Sequence, residues 1–468
     1  MRSGLLVAGL LAVLLLSAWF RLRTVGDAAV GSDSIGQFFA AWAWSSWPAP
    51  PNPESGRWLW VTAVPDVLLA SSLQDAFVYR FVQGALIAPV GAVTAWQLAK
   101  SRPVFERVLA AGLSGVFLAL DPGLVDTLVS SFRGYGAPEW IALAGLGFAF
   151  RERLWGIPLA VTALMVASGH HPFATGALVA GLLLLALLRV PRKTLLMAVG
   201  IAFVLAIPRL QHIFWLGNCG DGIRVCLETI ALGSSQLEDS RWALLQKAVH
   251  DRFLVDLGPA GVMFGLGCLL ALFNNREAGL WALVALFCVI ALALIVHSLR
   301  PYHLREVAAP MGVATGLVLS RLRWLGLLLG VVLSFGLLRQ PVPPGSPGAV
   351  SRHDSVAKAL GDLDGTLWIE GAWTGDAYLL EPSGVVLAAL LQGQDPARFV
   401  GEDPAHTLLA LSGAPPQGYP VLVSGEGWSV LSFESQAALQ AWAEAQTPAI
   451  PLAGAMDWLM YVAGGSGD

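Results

Sequence analysis

A chain that keeps returning to apolar runs separated by short charged loops has few folds open to it. Inside a bilayer every backbone polar group must be satisfied within its own helix. Between Gly4 and Leu338 the runs are Gly4 to Phe20, Phe81 to Ala99, Val108 to Leu120, Pro138 to Phe150, Gly156 to Ser168, Phe173 to Leu188, Thr194 to Ile207, Gly258 to Phe273, Ala278 to Leu299, Val307 to Leu319 and Trp324 to Leu338. They make about eleven candidate spans, several shorter than the roughly 20 residues of a straight crossing. The short pair on either side of Gly169 to Pro172 can be one re-entrant hairpin, which lowers the count by two and leaves every later orientation unchanged. Hydrophobic residues make up 56% of the chain, charged residues 13%, and the mean hydropathy is +0.65, so the fold class is an α-helical polytopic membrane protein. Gly4 to Phe20 lacks a small-x-small cleavage site and runs straight into Arg21, so it reads as a retained anchor.

Orientation follows from the short loops. Lys100, Arg102 and Arg107 fall in one, Arg151 and Arg153 in the next on that side, then Arg189, Arg192 and Lys193, then Arg276, then Arg321 and Arg323. Every second loop is basic, which by the positive-inside rule places these loops and the N-terminus in the cytoplasm and the tail after Leu338 outside. Arg21 and Arg23 disagree, since they flank the outer end of the first helix. The net charge of -4, with Lys and Arg scattered, gives no electrostatic support for a nucleic-acid partner.

The opposite loops hold a different set of residues: Asp33, Asp66 and Asp75, then Asp121, Asp126, Arg133, Tyr135 and Glu139, then His170 and His171, then Arg300, Tyr302, His303, Arg305 and Glu306. Ionisable groups at the ends of membrane helices need a cavity or a partner, so a one-sided collection marks a site. Ordinary interfacial polarity is the plainer explanation. Asp33 opens a segment in which Ile35, Phe38, Phe39, Trp42 and Trp44 recur at roughly helical spacing, as in a helix lying at the interface. Capping that helix would by itself account for an Asp there.

The long outer loops are 24–83 and 208–257, and the second carries Cys219 and Cys226 around a short Gly-Asp-Gly-Ile-Arg-Val insert that fits a disulfide in an oxidising compartment. Cys268 and Cys288 sit in apolar runs, and none of the four has structural-zinc spacing. The membrane domain is expected over 1–338, with a Pro- and Gly-rich linker over 339–350 and a small extracytoplasmic α/β domain over 351–468. In that domain Ser351 to Leu363 reads as a helix, Thr366 to Trp373 as a strand, Asp376 to Leu391 as a helix or mixed segment, Thr407 to Ser412, Tyr419 to Ser424 and Trp428 to Phe433 as strands, and Glu434 to Gln446 as an amphipathic helix. Asp362 and Asp364 precede Gly365 and are more simply a turn than a metal pair.

This layout resembles the GT-C membrane glycosyltransferases. Gly31-Ser32-Asp33 looks like the family's acidic position after the first helix, and Arg300 to Pro310 looks like its basic and aromatic segment leading into a Pro-containing helix. The resemblance implies an inverting transferase of the bacterial inner (plasma) membrane that takes a sugar from a polyprenyl-phosphate-linked donor to a glycan, lipid or protein acceptor at the outer face. It implies Asp33 as base and Arg300, Tyr302, His303 and Arg305 as substrate-binding residues, while His170 and His171 are candidates that could bind phosphate, ligate a metal or simply satisfy a helix end. Such roles fit the chemistry, because a carboxylate can accept the acceptor's proton and Arg can hold the departing lipid phosphate bidentately. Asp33 is not followed by a second acid, so a divalent metal stays a candidate cofactor only.

Two other readings stay open. A transporter or flippase would place charges in the middle of apolar runs and show internal repeats, and neither is visible. A non-catalytic protein that binds lipid-linked sugars or assembles with partners would share the layout and lack a competent base. Mass spectrometry of unreduced peptides is expected to recover Cys219 linked to Cys226, a bond stabilising by at most ~3 kcal/mol for so short a loop. Free thiols at both positions in membranes kept from reductant would remove this support for an outer location.

Overall fold

The computed structural model describes residues 2–25, 28, 35, 38, 42, 67–129, 137–170, 174–216, 240–295, 299, 301–340, 348–361, 363, 366–370, 382–395, 407–412, 421–425, 428–446, 449 and 452–454. They divide into two compact units. The first comprises 1–22, 82–127 and 134–342, and the second 23–81, 128–133 and 343–468.

In chain order the described helices up to residue 339 are α1 (Arg2–Leu22), α2 (Leu73–Ala85), α3 (Ile87–Leu98), α4 (Val104–Leu120), α5 (Pro122–Val129), α6 (Ala137–Ala149), α7 (Gly156–His170), α8 (Thr175–Leu187), α9 (Arg192–Leu216), α10 (Arg241–His250), α11 (Pro259–Asn274), α12 (Arg276–Ile295), α13 (Pro301–Arg305), α14 (Ala308–Arg321) and α15 (Trp324–Arg339). Each apolar run of the sequence has become a helix, since only intrahelical bonds satisfy such a backbone. Among the described residues Leu73–Leu98 and Arg276–Leu294 are long and apolar enough to cross a membrane alone, and α10 and α11 form a broken pair bent by 113°. Shorter apolar helices include Val7–Leu22, Gly156–Ser168, Thr175–Leu187 and Trp324–Arg339.

Helix α14 is the centre of the first unit. Every residue from Ala308 to Ser320 is buried, and the helix packs on α3, α4, α6, α11, α12 and α15. Pro310 is tolerated because it stands in the first turn, where its missing N–H has no intrahelical acceptor to lose. Apolar burial between helices gains little in lipid, so close backbone approach has to supply the packing. Small residues allow it: Gly316 faces Ser114 and the Ala110 carbonyl, and Gly267 faces Thr315, with no room for a Cβ at either.

One end of this unit gathers the basic loops. Lys100 pairs with Glu152 at 2.8 Å, Arg151 forks onto both carboxylate oxygens of Glu277 at 2.5 and 2.7 Å, and Arg321 and Arg323 both reach Glu106 at 3.4 Å. Arg102 is buried there, donating to the Leu317 carbonyl, the Ser320 hydroxyl and the Asn274 carbonyl. Loops far apart in sequence thus share one end, as the alternation of charge requires. Arg21, which disagreed with that alternation, lies at the other end. Fully buried, it donates to the carbonyls of Leu118 and Ala119 at the C-terminus of α4 and to the Ser17 hydroxyl. It caps a helix rather than marking a membrane face.

Two expected loop segments are helical. α9 continues through Pro208 to Leu216, where a stop at the proline was expected, and α10 lies inside the expected loop 208–257. Membrane helices accept an internal proline more readily than soluble ones. Ser240 starts α10 as its N-cap, accepting from the Ala243 N–H, and Leu244 and Ala248 bury one side of it.

The second unit carries α16 (Ala349–Leu360), β1 (Thr366–Glu370), α17 (Pro382–Leu391), β2 (Thr407–Ser412), β3 (Val421–Gly425), β4 (Trp428–Phe433), α18 (Gln436–Glu444) and β5 (Leu452–Gly454). Its sheet has the order β3-β4-β2-β1-β5, with only β1 and β2 parallel. The edge strand β5 is too short to show in the sequence. Leu409, Leu431, Phe433, Leu439 and Trp442 form the core between sheet and α18.

Residues of the first outer loop belong to this same unit. Asp354 of α16 accepts from the N–H groups of Leu73 and Gln74 at 2.7 and 2.9 Å, and Ser72 accepts from that of Asp75, so the first turn of α2 is satisfied across 281 residues of sequence. Asp75 in turn accepts from the Ser71 N–H and hydroxyl. Burial pushes the Asp354 carboxyl up, even though its two backbone donors pull it down.

Gly316→Leu is expected to destabilise the protein by about 1–3 kcal/mol through overpacking against Ser114. Gly112→Leu, at a helical position where a Cβ meets nothing within 4 Å, is expected to leave stability unchanged or slightly higher. Thermal unfolding in detergent separates the two; equal shifts would contradict the close-packed account of α14.

Candidate functional site

At the end opposite the basic loops, four charged side chains from three places in the sequence form a chain of alternating sign. Arg252 donates to both oxygens of Asp121 at 2.9 and 2.6 Å and to Asp256 at 3.5 Å, while Arg305 forks onto both oxygens of Asp256 at 2.8 and 3.0 Å. Side-chain exposure is 0% for Arg252, 1% for Asp121, 8% for Arg305 and 11% for Asp256. Burial therefore deepens from Arg305 and Asp256 toward Asp121 and Arg252, which fixes the order in which a ligand could reach them.

Local structure explains how the four meet. Asp121 ends α4, and the Gly123 N–H donates to it at 3.0 Å as the chain turns into α5. A Cβ on Gly123 would sit 2.7 Å from the Asp256 carboxylate and 3.0 Å from the Arg305 guanidinium, so the cluster closes only over a glycine. After α10 the backbone widens into a π-turn, Asp251–Asp256, which puts Arg252 and Asp256 on one face. Such turns are rare and recur at functional sites. Gly258, at φ +55, and Pro259 at the start of α11 then redirect the chain.

Burial raises the Asp121 carboxyl, but the charge and hydrogen bonds of Arg252, the charge of Arg305 and the Gly123 N–H outweigh it and hold the group below the ordinary carboxylate range. His303 and Glu306 are also buried at this end, on and just after the short helix α13.

An apolar cavity of about 550 Å³ lies between α4 and α15. Phe105 and Leu327 line it near the basic end, Gly112 its middle, and Leu120 and Leu338 its other end. Leu120 is bonded to Asp121. Gln340, two residues past Leu338, packs against Gly258, two residues past Asp256. The groove thus runs the length of α4 to Leu120, the residue before Asp121, and none of the four charged residues lines it.

Of the residues named from the sequence, Asp121 and Arg305 belong to the charged cluster, and His303 and Glu306 are buried at the same end. The backbones of Tyr302 and His170 fall in α13 and α7, with their side chains outside the described residues. Asp33, His171, Arg300, Asp66, Arg133, Tyr135, Cys219 and Cys226 lie outside the described residues as well. Arg252 and Asp256 were missed because their segment read as loop; their four-residue spacing just before Gly258-Pro259 was the available signal. Among the described residues no group of three or more His, Cys, Asp or Glu is placed to hold a metal ion.

Asp121→Asn leaves the Arg252 charge buried without a full counter-charge and is expected to destabilise by about 3–5 kcal/mol. In the native protein the Asp121 carboxyl titrates below its unfolded value of about 3.9, so its stabilisation is present above that pH and is lost as pH falls through the lower folded value. Unfolding curves from pH 6 to pH 3 should therefore fall more steeply for the native chain than for Asp121→Asn. Parallel curves would show that the pair carries no such linkage.

No protein-family model and no curated protein matches the chain. Among solved structures it is similar to ArnT from Cupriavidus metallidurans bound to undecaprenyl phosphate, with TM-score 0.55 and 13% identity over 92% of this chain and 98% of that one. It is similar also to the apo state of the same ArnT, with TM-score 0.53 and 11% identity over 92% of this chain and 97% of that one. The apolar helices packed on α14, with a small sheet after the last of them, are those of a multi-pass membrane protein, and its fold is similar to that of ArnT.

Proposed function

We propose that the chain is a glycosyltransferase that moves a sugar from a polyprenyl-phosphate-linked donor to an acceptor at the outer face of the bacterial plasma membrane. The observation that carries this reading is the apolar groove along α4 that ends at Leu120, one residue before the Asp121 that holds the buried Arg252. An isoprenoid tail needs a lipid-facing apolar channel, and its phosphate needs fixed positive charge at one end of it. Both are present in one unit, and the solved structure of ArnT with undecaprenyl phosphate has the same fold.

In this reading Arg305 meets the lipid phosphate, with His303 and Arg300 as further donors, and stabilises the negative charge that grows on the leaving group. Asp33 is the proposed base for the acceptor hydroxyl. Tyr302, His170 and His171 complete the proposed substrate-binding set. The end with the basic loops is cytoplasmic, and the sheet-bearing tail is outside.

Asp33→Asn keeps size and capping ability but cannot take a proton, so sugar transfer should fall by about 10² to 10⁴ with the protein still folded. Gly112→Phe puts a ring into the groove at a position where a Cβ meets nothing within 4 Å, and should raise KM for the lipid-linked donor while leaving kcat nearly unchanged. Full activity in Asp33→Asn would remove the base assignment, and retained lipid binding would then favour a binding protein. An unchanged KM in Gly112→Phe would remove the groove.

A further inference from the structure

The Arg305 fork is already occupied. Its Nε and Nη2 face the two oxygens of Asp256 at 2.8 and 3.0 Å, the paired arrangement a guanidinium makes with two phosphate oxygens. We propose that Asp256 is a built-in placeholder for the lipid phosphate, a specificity-determining carboxylate that holds Arg305 in the receiving geometry and yields it when the phosphate arrives. The proposal rests on the reading of Arg305 as a phosphate ligand.

Three features distinguish Asp256 from a plain structural partner. First, the charges are lopsided toward release: Arg252 keeps a bidentate bond to Asp121, so only its weaker 3.5 Å contact is lost when Asp256 moves. Second, Asp256 and Arg305 are the two more exposed members of the cluster, at 11% and 8%, whereas Asp121 and Arg252 are sealed. Third, Asp256 ends a π-turn and stands two residues before Gly258, whose φ of +55 gives the chain a pivot next to a 113° bend. The cluster of two acids and two bases is neutral with Asp256 seated. With Asp256 withdrawn it presents one uncompensated positive charge, which an incoming phosphate replaces.

A placeholder lowers the apparent affinity for its ligand, because only the fraction of molecules with Asp256 displaced can bind. A polyprenol lacking phosphate has nothing to exchange and feels no such competition. Asp256 would thus make the site admit lipids by headgroup rather than by tail.

The test is equilibrium binding of a polyprenyl monophosphate to the full-length protein in nanodiscs, with the corresponding polyprenol as control, for the native chain, Asp256→Asn and Arg305→Ala. Asn keeps one acceptor for Arg305 but loses the charge. Asp256→Asn is expected to bind the monophosphate at least about tenfold more tightly than the native chain, with polyprenol binding unchanged. A misfolded variant cannot bind more tightly, so that result is unambiguous, and Asp256→Ala gives the same expectation should the Asn variant not be recovered. Equal or weaker monophosphate binding in the folded variant, with Arg305→Ala still weakening it, overturns the placeholder and makes Asp256 a simple support for Arg305. If Arg305→Ala binds the monophosphate as well as the native chain, the phosphate reading itself fails and the placeholder falls with it.

Discussion

Burying Arg252 is the constraint on which the outer end of the helical unit depends. A guanidinium with no exposed surface has to be hydrogen-bonded or paired, and Asp121 meets this one squarely with both oxygens. That demand fixes the end of α4, the glycine at 123 and the π-turn that brings residue 252 to it. It also fixes Asp256, one π-turn later, within reach of Arg305. Replacing the four by apolar groups would make a quieter helix end; keeping them leaves a pre-formed, nearly water-free electrostatic site at the top of an apolar groove.

The opposite end is built otherwise. Its ion pairs are looser or more exposed, Lys100 with Glu152 at 51% and 67%, Arg321 and Arg323 each reaching Glu106 only at 3.4 Å, and exposed pairs add little stability. Their role is in the placing of the helices, since they join loops whose charge also sets orientation. Arg21 shows why charge counting alone misleads: buried against the last carbonyls of α4, it is spent on a helix terminus and says nothing about the membrane face.

Helices were the most legible part of the sequence, because in lipid an apolar run has hardly any alternative, and most expected bounds lie within a few residues of those found. Strands β2 and β4 were legible too, as short apolar runs bounded by turn residues. What stayed hidden depends on tertiary contacts. The capping of α2 by Asp354 joins residues 281 apart, and the π-turn at Asp251–Asp256 has no local signature. Asp121 and Arg305 were visible as charges on one side, yet the partners that define them, Arg252 and Asp256, were concealed in a segment read as loop. Asp75, by contrast, was collected with the candidate acids and proves to be occupied with Ser71 at the start of α2.

The central claim is that a lipid phosphate is received at the end of the groove between α4 and α15, at the cluster of Asp121, Arg252, Asp256 and Arg305. A cryo-electron microscopy map of the full-length protein with a non-hydrolysable polyprenyl-phosphate sugar bound tests it most directly. The account predicts isoprenoid density along Gly112 and Leu120 and phosphate density within hydrogen-bond distance of the Arg305 guanidinium. Phosphate density at the end that carries Arg102 and Arg151, or a tail bound away from α4 and α15, would contradict it.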